Sequence, residues 1–287
     1  MPGSYFLITF TLPAQLRALA WQHQRVVYAS LMDCAWQTLR TFSQNHRQLQ
    51  GSPGAVAVLH THSRRLDFHP HVHVAMPAGA LDADQRLWRT LRARAKGGGY
   101  LFNHKALAKV FAAKFLAALR EAGLVVPPSL PEKWVVDCKC VGSGEKVLVY
   151  LGRYLYRGVI QEKDIIGCDK GQVTYRWRDS KTNKTVMRTV SGASFLWLVL
   201  QHVLPRGFRR ARNFGFLHPN SKRLIALLRL LVFKLVAVAP AAPLPRPPWL
   251  CSCCNAPMRV VRRRILPTGD FVPPDPQGGH QDQGLTT

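Results

Sequence analysis

The stretch that decides the fold is residues 54–77, GAVAVLHTHSRRLDFHPHVHVAMP. It contains two apolar runs, 55–59 and 72–76, joined by a short polar segment. Each run has the length of a strand, is rich in Val and is bounded by Gly or Pro, so the pattern predicts two neighbouring strands. His71 and His73 lie two residues apart on the second run. Because strand side chains alternate between faces, both imidazoles project from the same side.

A third histidine can join this pair. His60 ends the first run, 11 residues before His71, and a hairpin over that spacing brings the two together. Three convergent imidazoles suit a divalent metal such as Mn, Zn or Ni. His62 shares a strand face with His60, and His69 shares one with His71 and His73, so either could replace His60 as third ligand. The alternative is an incidental cluster of core histidines without a metal.

The charge of the chain points to a polyanionic partner. Among 287 residues, Lys and Arg number 40 against 15 Asp and Glu, which gives a net charge of +25 and a pI of about 10.6. Catalysis on a small neutral metabolite would not need this surplus. Nucleic acid is therefore the leading candidate partner and an anionic membrane the second. The aromatic residues Trp134 and Trp177 could stack on bases, and nothing in the sequence favours either.

Cysteine use and hydropathy predict a cytoplasmic, nucleoid-associated protein. The seven cysteines form no regular framework, and no secretory signal precedes the first predicted strand, which favours a reducing compartment. The most apolar run, residues 224–239, is interrupted by Arg229 and Lys234 and is short for a membrane span. We interpret it as an amphipathic helix and expect no membrane partner.

The order of predicted elements indicates an α+β fold. Residues 5–12 predict a strand, 14–45 one long or two abutting helices, 105–122 a helix and 134–141 a strand. A hairpin over 173–190, a helix over 194–204, a basic loop over 205–212 and a helix over 221–238 follow. This order favours a mainly antiparallel sheet with flanking helices. We expect a core over 1–200, a basic helical extension over 201–240, and a Pro-rich linker with a Cys cluster and a disordered tail over 241–287.

A cluster of tyrosines lies in residues 146–160, KVLVYLGRYLYRGVI. In a helix, Tyr150 and Tyr154 are one turn apart on a single face and Tyr156 points elsewhere. In a strand, all three would share a face. Glu145 suits the first turn of a helix, and we predict a helix although Gly152 weakens it. Taken alone, such a pair is more typical of packing at the edge of a core.

Several stretches together resemble one protein family. HPHVHV resembles the metal motif of the nucleases named HUH after their His–hydrophobic–His signature. YLGRY resembles the tyrosine motif of the two-tyrosine rolling-circle transposases of bacterial insertion sequences. VTYRWRD, SGASF and HVLPRGFRRARNFGFL resemble the later blocks of that family. The agreement runs in order from about Phe6 to about Leu217.

The resemblance implies both a fold and an activity. The HUH core is a central antiparallel sheet that carries its metal-binding histidines on a middle strand. A divalent metal, Mg or Mn, held by His60, His71 and His73 would assist a tyrosine nucleophile, Tyr150 or Tyr154, in nicking single-stranded DNA. The product would be a 5′-phosphotyrosyl link and a free 3′-OH, and the strand would then be transferred during transposition. The implied partner is DNA, mainly single-stranded or unwound element ends, and a homo-oligomer is left open.

The basic residues supply candidate DNA contacts. Those nearest the motifs are Arg64, Arg65, Lys139, Arg153, Arg157, Arg176, Arg178, Arg206, Arg209, Arg210 and Arg212. A run of charged residues usually forms only a solvated surface, but the net charge of +25 makes that interpretation less satisfactory here.

Relatives commonly begin with a Cys-rich zinc-binding segment, which we expect to be lacking here. Near the C-terminus, Cys251 and Cys254 form a C-x-x-C pair that could bind zinc, but no second pair completes a tetrahedral site. Two further functions therefore stay open: an inactive basic DNA-binding remnant of such a transposase, and a metallohydrolase that uses activated water with the tyrosines as packing.

Overall fold

The computed structural model describes residues 3–91, 101–156, 158–179, 182–232, 250–251 and 253–258, apart from the side chains of 150 and 153–156. The chain divides into two compact units, Met1–Val236 and Ala237–Thr287. The helices and strands named below all belong to the first unit.

Ten strands and six α-helices make up the described secondary structure. The strands are β1 (Tyr5–Thr11), β2 (Gly54–His62), β3 (Phe68–Pro77), β4 (Gly79–Asp82), β5 (Leu87–Thr90), β6 (Val136–Gly142), β7 (Ile165–Asp169), β8 (Gln172–Arg178), β9 (Thr185–Ser191) and β10 (Ala211–Gly215). The helices are α1 (Arg17–Gln22), α2 (Gln24–Asn45), α3 (His104–Glu121), α4 (Gly144–Tyr156), α5 (Gly192–Leu200) and α6 (Lys222–Val232). Short 3-10 turns cover Ala14–Leu16 and Glu162–Asp164.

A five-stranded antiparallel sheet organises the first unit. Its strand order is β10-β2-β3-β1-β6, so the two histidine strands lie side by side near the middle. The predicted α+β class with a central antiparallel sheet and flanking helices is therefore confirmed. A separate three-stranded sheet, β7-β8-β9, and the β4-β5 hairpin complete the strand pairing.

The two faces of the central sheet have different partners. On one face, alternate residues such as Phe10, Leu59 and Val72 pack with α2 and α3 into the large apolar core. On the other face, Val58 and Ala75 pack with Val147 and Leu151 of α4. We call these the core face and the α4 face. This alternation follows from the period of two in a strand, since each strand buries apolar side chains on both sides.

Local sequence signals account for the helix that closes the core. Asn103 begins α3, and its side-chain oxygen accepts hydrogen bonds from the backbone N–H groups of Lys105 and Ala106 at 3.0 and 3.1 Å. Such caps satisfy donors that have no partner within the helix. Gly123 follows the helix with a φ of 73°, the left-handed conformation that commonly ends helices. Phe111 and Phe115 point from this helix into the core.

The structure differs from the sequence prediction at the basic loop. Part of the predicted loop over 205–212, and of the expected helical extension over 201–240, is strand β10, which pairs with β2 at the edge of the central sheet. The sequence pattern for this strand is weak because the strand is five residues long and carries Arg212 and Asn213. Gly215 ends it with a φ of 61°, and a Cβ there would collide with the carbonyl oxygen of Pro53. The residues that follow 200 thus contribute directly to the core sheet.

Other predicted elements agree in type with the structure. Residues 146–156 lie in helix α4, which supports the helical interpretation of the tyrosine motif over the strand interpretation. The helices predicted over 14–45 are two abutting helices, α1 and α2. The last helix is described to Val232, and residues 233–238 of its predicted range lie outside the described residues. Within the part of the chain that the structure describes, no helix combines the length and apolarity needed to span a bilayer.

Candidate metal centre and nucleic-acid groove

The β2-β3 hairpin brings three histidines together on the α4 face. His60 lies directly opposite His71, and His73 lies opposite Val58. One ligand nitrogen from each of His60, His71 and His73 lies within 4.8 Å of the other two, and the ring centroids are 4.6–5.2 Å apart. Three side chains on two paired strands are held by the backbone ladder rather than by a loop, so their geometry is rigid. We call these residues the His triad.

Hydrogen bonds fix the orientation of two of these rings. The Nδ1 atom of His73 lies 2.9 Å from the hydroxyl of Thr9, which is opposite it on β1. The Nδ1–H of His71 donates to the backbone carbonyl oxygen of His69 at 2.7 Å. With both Nδ1 atoms engaged, Nε2 is the nitrogen through which each of these two rings would bind a metal. Histidines that bind metals usually engage their second nitrogen in this way.

Burial keeps the His triad neutral. It lowers the pKa of His71 to about 4 and, with the neighbouring His71 imidazole, lowers the pKa of His73 to about 3. The pKa of His60 is lowered further, by burial first and then by the imidazoles of His73 and His71 and the charge of Arg210. An imidazole must be deprotonated to bind a metal. At neutral pH all three rings therefore already have the form that binds a cation.

The donor set fits a divalent transition metal. Three imidazole nitrogens are typical ligands for Zn, Mn, Fe or Ni, whereas Mg prefers oxygen ligands in octahedral geometry. Among the residues that the structure describes, the His triad is the group that brings three potential ligand atoms within 4.8 Å of one another. The structure thus supports a divalent metal site at the His triad.

The other histidines of the hairpin have different neighbours. The guanidinium of Arg17 lies 2.6 Å from Nδ1 of His69. His62 lies near His60, with ring centroids 6.1 Å apart, but its ring also contacts His202 at 5.3 Å. Of the three candidates for the third ligand, His60 is the one whose nitrogen meets those of His71 and His73. His202, which contacts the carbonyl oxygen of Leu66 at 2.9 Å, carried no signal in the sequence.

A wide groove opens above the His triad. It has a volume of about 830 Å³. One wall is the β2-β3 hairpin with its turn, and the other comes from strands β8 and β9 and the segment that follows α4. Its lining includes His60, His62, Ser63, Arg64, His69, His71, His73, Gly158, Val159, Ile160, Gln161, Asp164, Tyr175, Arg176, Trp177, Arg178, Thr185 and Arg210. Its described lining carries four arginines (Arg64, Arg176, Arg178 and Arg210) and the acidic residue Asp164, so the groove is cationic.

Helix α4 carries the two candidate nucleophiles. It packs through Val147 and Leu151 on the same face of the sheet that bears the His triad. Helical periodicity puts positions 150 and 154 in the stripe that also contains 147 and 151. The side chains of Tyr150 and Tyr154 lie outside the described part of the structure. Residues 158–161, which follow the helix, line the groove beside the His triad.

The predicted DNA-contacting residues fall into three sets. Arg64, Arg176, Arg178 and Arg210 line the groove, and the guanidinium of Arg65 lies over the indole of Trp177 at its border. Lys139 is exposed on the α4 face of β6, where it pairs with Leu7 of β1. By contrast, Arg209 and Arg212 line a separate cavity of about 840 Å³, and Arg206 accepts a hydrogen bond there from Arg25 through its carbonyl oxygen. The side chain of Arg153 and all of Arg157 are outside the described residues.

The cysteine motif lies in the second unit. Leu250 and Pro257 form a β-bridge, and the backbone N–H of Cys251 donates to the carbonyl oxygen of Ala256 at 2.9 Å. Hydrogen bonds from the backbone N–H groups of Cys253 and Cys254 lower the pKa of the Cys251 thiol. This turn would favour a thiolate at Cys251, and zinc binding by Cys251 and Cys254 stays a prediction.

Residues 54–224, which span both histidine strands, α4 and the groove, match the family described as "Putative transposase". The chain belongs to this transposase family. The match begins with the first histidine strand and ends at the start of α6.

Two curated relatives are similar over most of the chain. The putative transposase y4qJ of Sinorhizobium fredii (strain NBRC 101917 / NGR234) is 32% identical over 236 residues, which cover 74% of this chain and 58% of the relative. The transposase for insertion sequence element IS801 of Pseudomonas savastanoi pv. phaseolicola is 27% identical over 286 residues, which cover 88% of this chain and 66% of the relative. The chain thus spans about three fifths to two thirds of the length of these relatives.

Solved structures of a conjugative relaxase, TrwC, show a more distant similarity. A metal-free TrwC structure in complex with oriT DNA is 17% identical, with a TM-score of 0.33 over 46% of this chain and 48% of TrwC. A complex with mutant oriT DNA is 13% identical, with a TM-score of 0.32 over 78% of this chain and 72% of TrwC.

Proposed function

We propose that this protein is a transposase that nicks single-stranded DNA with a tyrosine nucleophile and transfers the strand through a covalent intermediate. The observation that carries the proposal is a shared face: α4, which bears Tyr150 and Tyr154, packs on the side of the sheet where the His triad lies. Membership of the transposase family supports the same activity.

The His triad would hold a divalent cation. Bound by His60, His71 and His73, the cation would act as a Lewis acid that polarises the scissile phosphate. Thr9 and the carbonyl oxygen of His69 would hold the rings of His73 and His71 in place. The cationic side chains of the groove, such as Arg176 and Arg178, would hold the neighbouring phosphates.

One of the two tyrosines would attack the phosphorus. A bond forms between the phenolic oxygen and phosphorus, and the bond from phosphorus to the 3′ oxygen breaks. The phenol loses its proton and the 3′ oxygen gains one, so the products are a 5′-phosphotyrosyl link and a free 3′-OH. The link conserves the phosphoester, so a later attack by a 3′-OH can rejoin the strand without ATP. A second tyrosine one turn away would allow a second strand to be cut at the same site.

The test is a covalent adduct. Wild-type protein incubated with single-stranded oligonucleotides from element ends and Mn²⁺ is expected to give a protein–DNA species that survives heating in detergent. The Tyr150→Phe/Tyr154→Phe variant should give none. Tyr156→Phe is the matched control, since position 156 lies away from the stripe of 150 and 154, and it should retain the adduct.

Other results would identify the two alternative functions. Cleavage without an adduct, unchanged in the tyrosine double variant but abolished by His71→Ala, would indicate a metallohydrolase. Salt-sensitive binding with neither cleavage nor adduct would indicate an inactive DNA-binding protein. An adduct that persists in the double variant would refute the tyrosine assignment.

A further inference from the structure

The groove contains an aromatic side chain that the proposed chemistry does not use. Trp177 lies on β8 in the wall facing the β2-β3 hairpin and is half-buried. Strand alternation puts it on the same face of β8 as Val173 and Tyr175, both of which are buried. Trp177 is therefore the residue of this face that reaches the groove with part of its ring exposed.

The position of this indole is fixed by its neighbours on the strand. Tyr175 is fully buried, and its hydroxyl donates to the carbonyl oxygen of Arg65 in the hairpin turn at 3.3 Å. The guanidinium of Arg64 donates to the carbonyl oxygen of Arg178 at 3.4 Å. These contacts tie the hairpin turn to β8 on either side of Trp177. The indole is thus attached to the same hairpin that carries the His triad.

One face of the indole already accepts a planar cation. The guanidinium carbon of Arg65 lies 5.7 Å from the ring centroid. The Arg65 side chain is 57% exposed, and its ion pair with Asp67 is long, at 3.6 Å. Exposed pairs of this kind contribute little stability, so Arg65 can move aside at small cost. A nucleobase has the flat shape and size to take its place against the ring.

The positive charge around Trp177 favours a polyanionic ligand. Arg64, Arg176 and Arg178 line the groove around Trp177, and Asp164 is the acidic residue of the lining. A cationic groove with an exposed aromatic face is typical of sites for single-stranded nucleic acid, where phosphates follow the charges and bases stack. A paired duplex cannot offer a base face to this ring, because its bases are stacked on each other.

We propose that Trp177 is a stacking platform for an unpaired base of the DNA strand whose phosphate lies at the His triad, with Arg65 as a mobile side chain over the same ring. The proposal rests on the proposed function for the identity of the strand. Two other tryptophans of the described chain, Trp134 and Trp197, do not fit this role. Trp134 is in the core against Phe111 and Phe115, with ring centroids 5.7 and 5.9 Å away, and Trp197 is exposed but outside the groove.

The experiment measures binding without chemistry. The full chain carrying Tyr150→Phe/Tyr154→Phe is titrated with a fluorescent single-stranded oligonucleotide, alone and with Trp177→Ala, Trp177→Phe or Trp197→Ala added. Loss of one base stack weakens binding by roughly 5- to 150-fold. We expect a loss in that range for Trp177→Ala, a much smaller loss for Trp177→Phe and no change for Trp197→Ala.

An abasic scan separates stacking from other effects. Each oligonucleotide of the scan lacks one base, at a different position. One of them should bind the protein that retains Trp177 more weakly than the intact oligonucleotide does. With that oligonucleotide, Trp177→Ala should cause no further loss of affinity. Equal losses for Trp177→Ala with every abasic oligonucleotide, or equal affinities of the Trp177→Ala and Trp197→Ala proteins, would overturn the proposal. Because no variant in this titration forms an adduct, failure here is distinct from failure of the nuclease assay on the wild-type protein.

Discussion

The two faces of the central sheet have the same backbone but serve different purposes. On the core face, Phe10 packs against Phe111 of α3 with ring centroids 4.8 Å apart, and large apolar side chains exclude water. On the α4 face, the side chains of β1 are polar or pack in a cluster that is smaller than the core. The hydroxyl of Thr9 contacts His73 on this face. A single strand thus supplies stability through one set of alternate residues and site geometry through the other.

This difference explains how buried imidazoles are tolerated. An unpaired polar group costs free energy when it is buried, and a charged one costs more. The His triad avoids the larger cost because its rings are neutral, and hydrogen bonds orient those of His71 and His73. The extensive core on the opposite face holds the strands in register, so the site does not depend on its own packing for stability. Substitutions on the two faces should therefore have opposite consequences.

The largest expected effect is on catalysis, from a substitution on the α4 face. His71→Ala removes one imidazole of the His triad, and loss of several kcal/mol of Lewis-acid stabilisation corresponds to about a thousandfold or more in rate. The free energy of unfolding should change little. The measurement is the rate of Mn²⁺-dependent adduct formation together with urea unfolding. His23→Ala, which removes an exposed histidine at the end of α1, is the control and should retain the wild-type rate.

A substitution on the core face should have the reverse effect. Phe111→Ala opens a cavity beneath Phe10 and Trp134 and should lower the free energy of unfolding by about 3–5 kcal/mol. Urea or thermal unfolding measures it. Leu148→Ala, at a position of α4 that is 69% exposed, should stay within about 0.5 kcal/mol of wild type. Equal stabilities of the two variants would contradict the assignment of Phe111 to the core that stabilises the fold.

A smaller effect is expected from the residue that orients His73. Thr9→Val keeps the β-branched shape but removes the hydroxyl next to Nδ1, and loss of such a partner lowers metal affinity by about 10- to 100-fold. Calorimetric titration with Mn²⁺ measures the change. Thr9→Ser restores a hydroxyl and should recover most of the affinity. If Thr9→Val binds Mn²⁺ as tightly as wild type, Thr9 is a packing residue only.

The smallest expected effect is electrostatic. Removing the charge of Arg176, which lines the groove, should make the slope of log K against log salt shallower by about 0.7, the contribution of one phosphate on a single strand. Binding of an oligonucleotide at several salt concentrations gives the slope. Lys222→Ala, at an exposed position of α6 outside the groove, is the matched control. A slope that changes equally in both would mean that the whole cationic surface, and not the groove, attracts the strand.

Local spacing was enough to predict that three histidines of the hairpin lie together. The alternation of strand side chains placed His71 and His73 on one face, and the length of the hairpin placed His60 beside them. The sequence favoured His60 as third ligand but left His62 and His69 open, because the choice depends on the register of the hairpin. Here the register shifts between His60 and His62. The alternation of side chains along one strand cannot reveal such a shift.

Contacts between distant parts of the chain were not predictable in the same way. Strand β10 pairs with β2 although about 150 residues separate them, and its arginines masked the strand pattern. Nothing in the local sequence of β8 and β9 indicates that these strands face the His triad. For the same reason nothing in the sequence favoured Trp177 over Trp134, although Trp177 lines the groove and Trp134 is in the core. Thr9 was likewise an ordinary strand residue until its partner across the sheet was known.

The proposed chemistry is tested by identifying the amino acid that becomes attached to DNA. Wild-type protein trapped with a single-stranded oligonucleotide and Mn²⁺ is digested with protease and nuclease, and the peptide carrying the residual nucleotide is sequenced by mass spectrometry. We predict a phosphotyrosyl modification at Tyr150 or Tyr154 in the peptide from α4, with no modification when the His triad is disrupted by His71→Ala. A nucleotide attached to any residue outside this pair, or cleaved DNA with no modified peptide, would contradict the central claim.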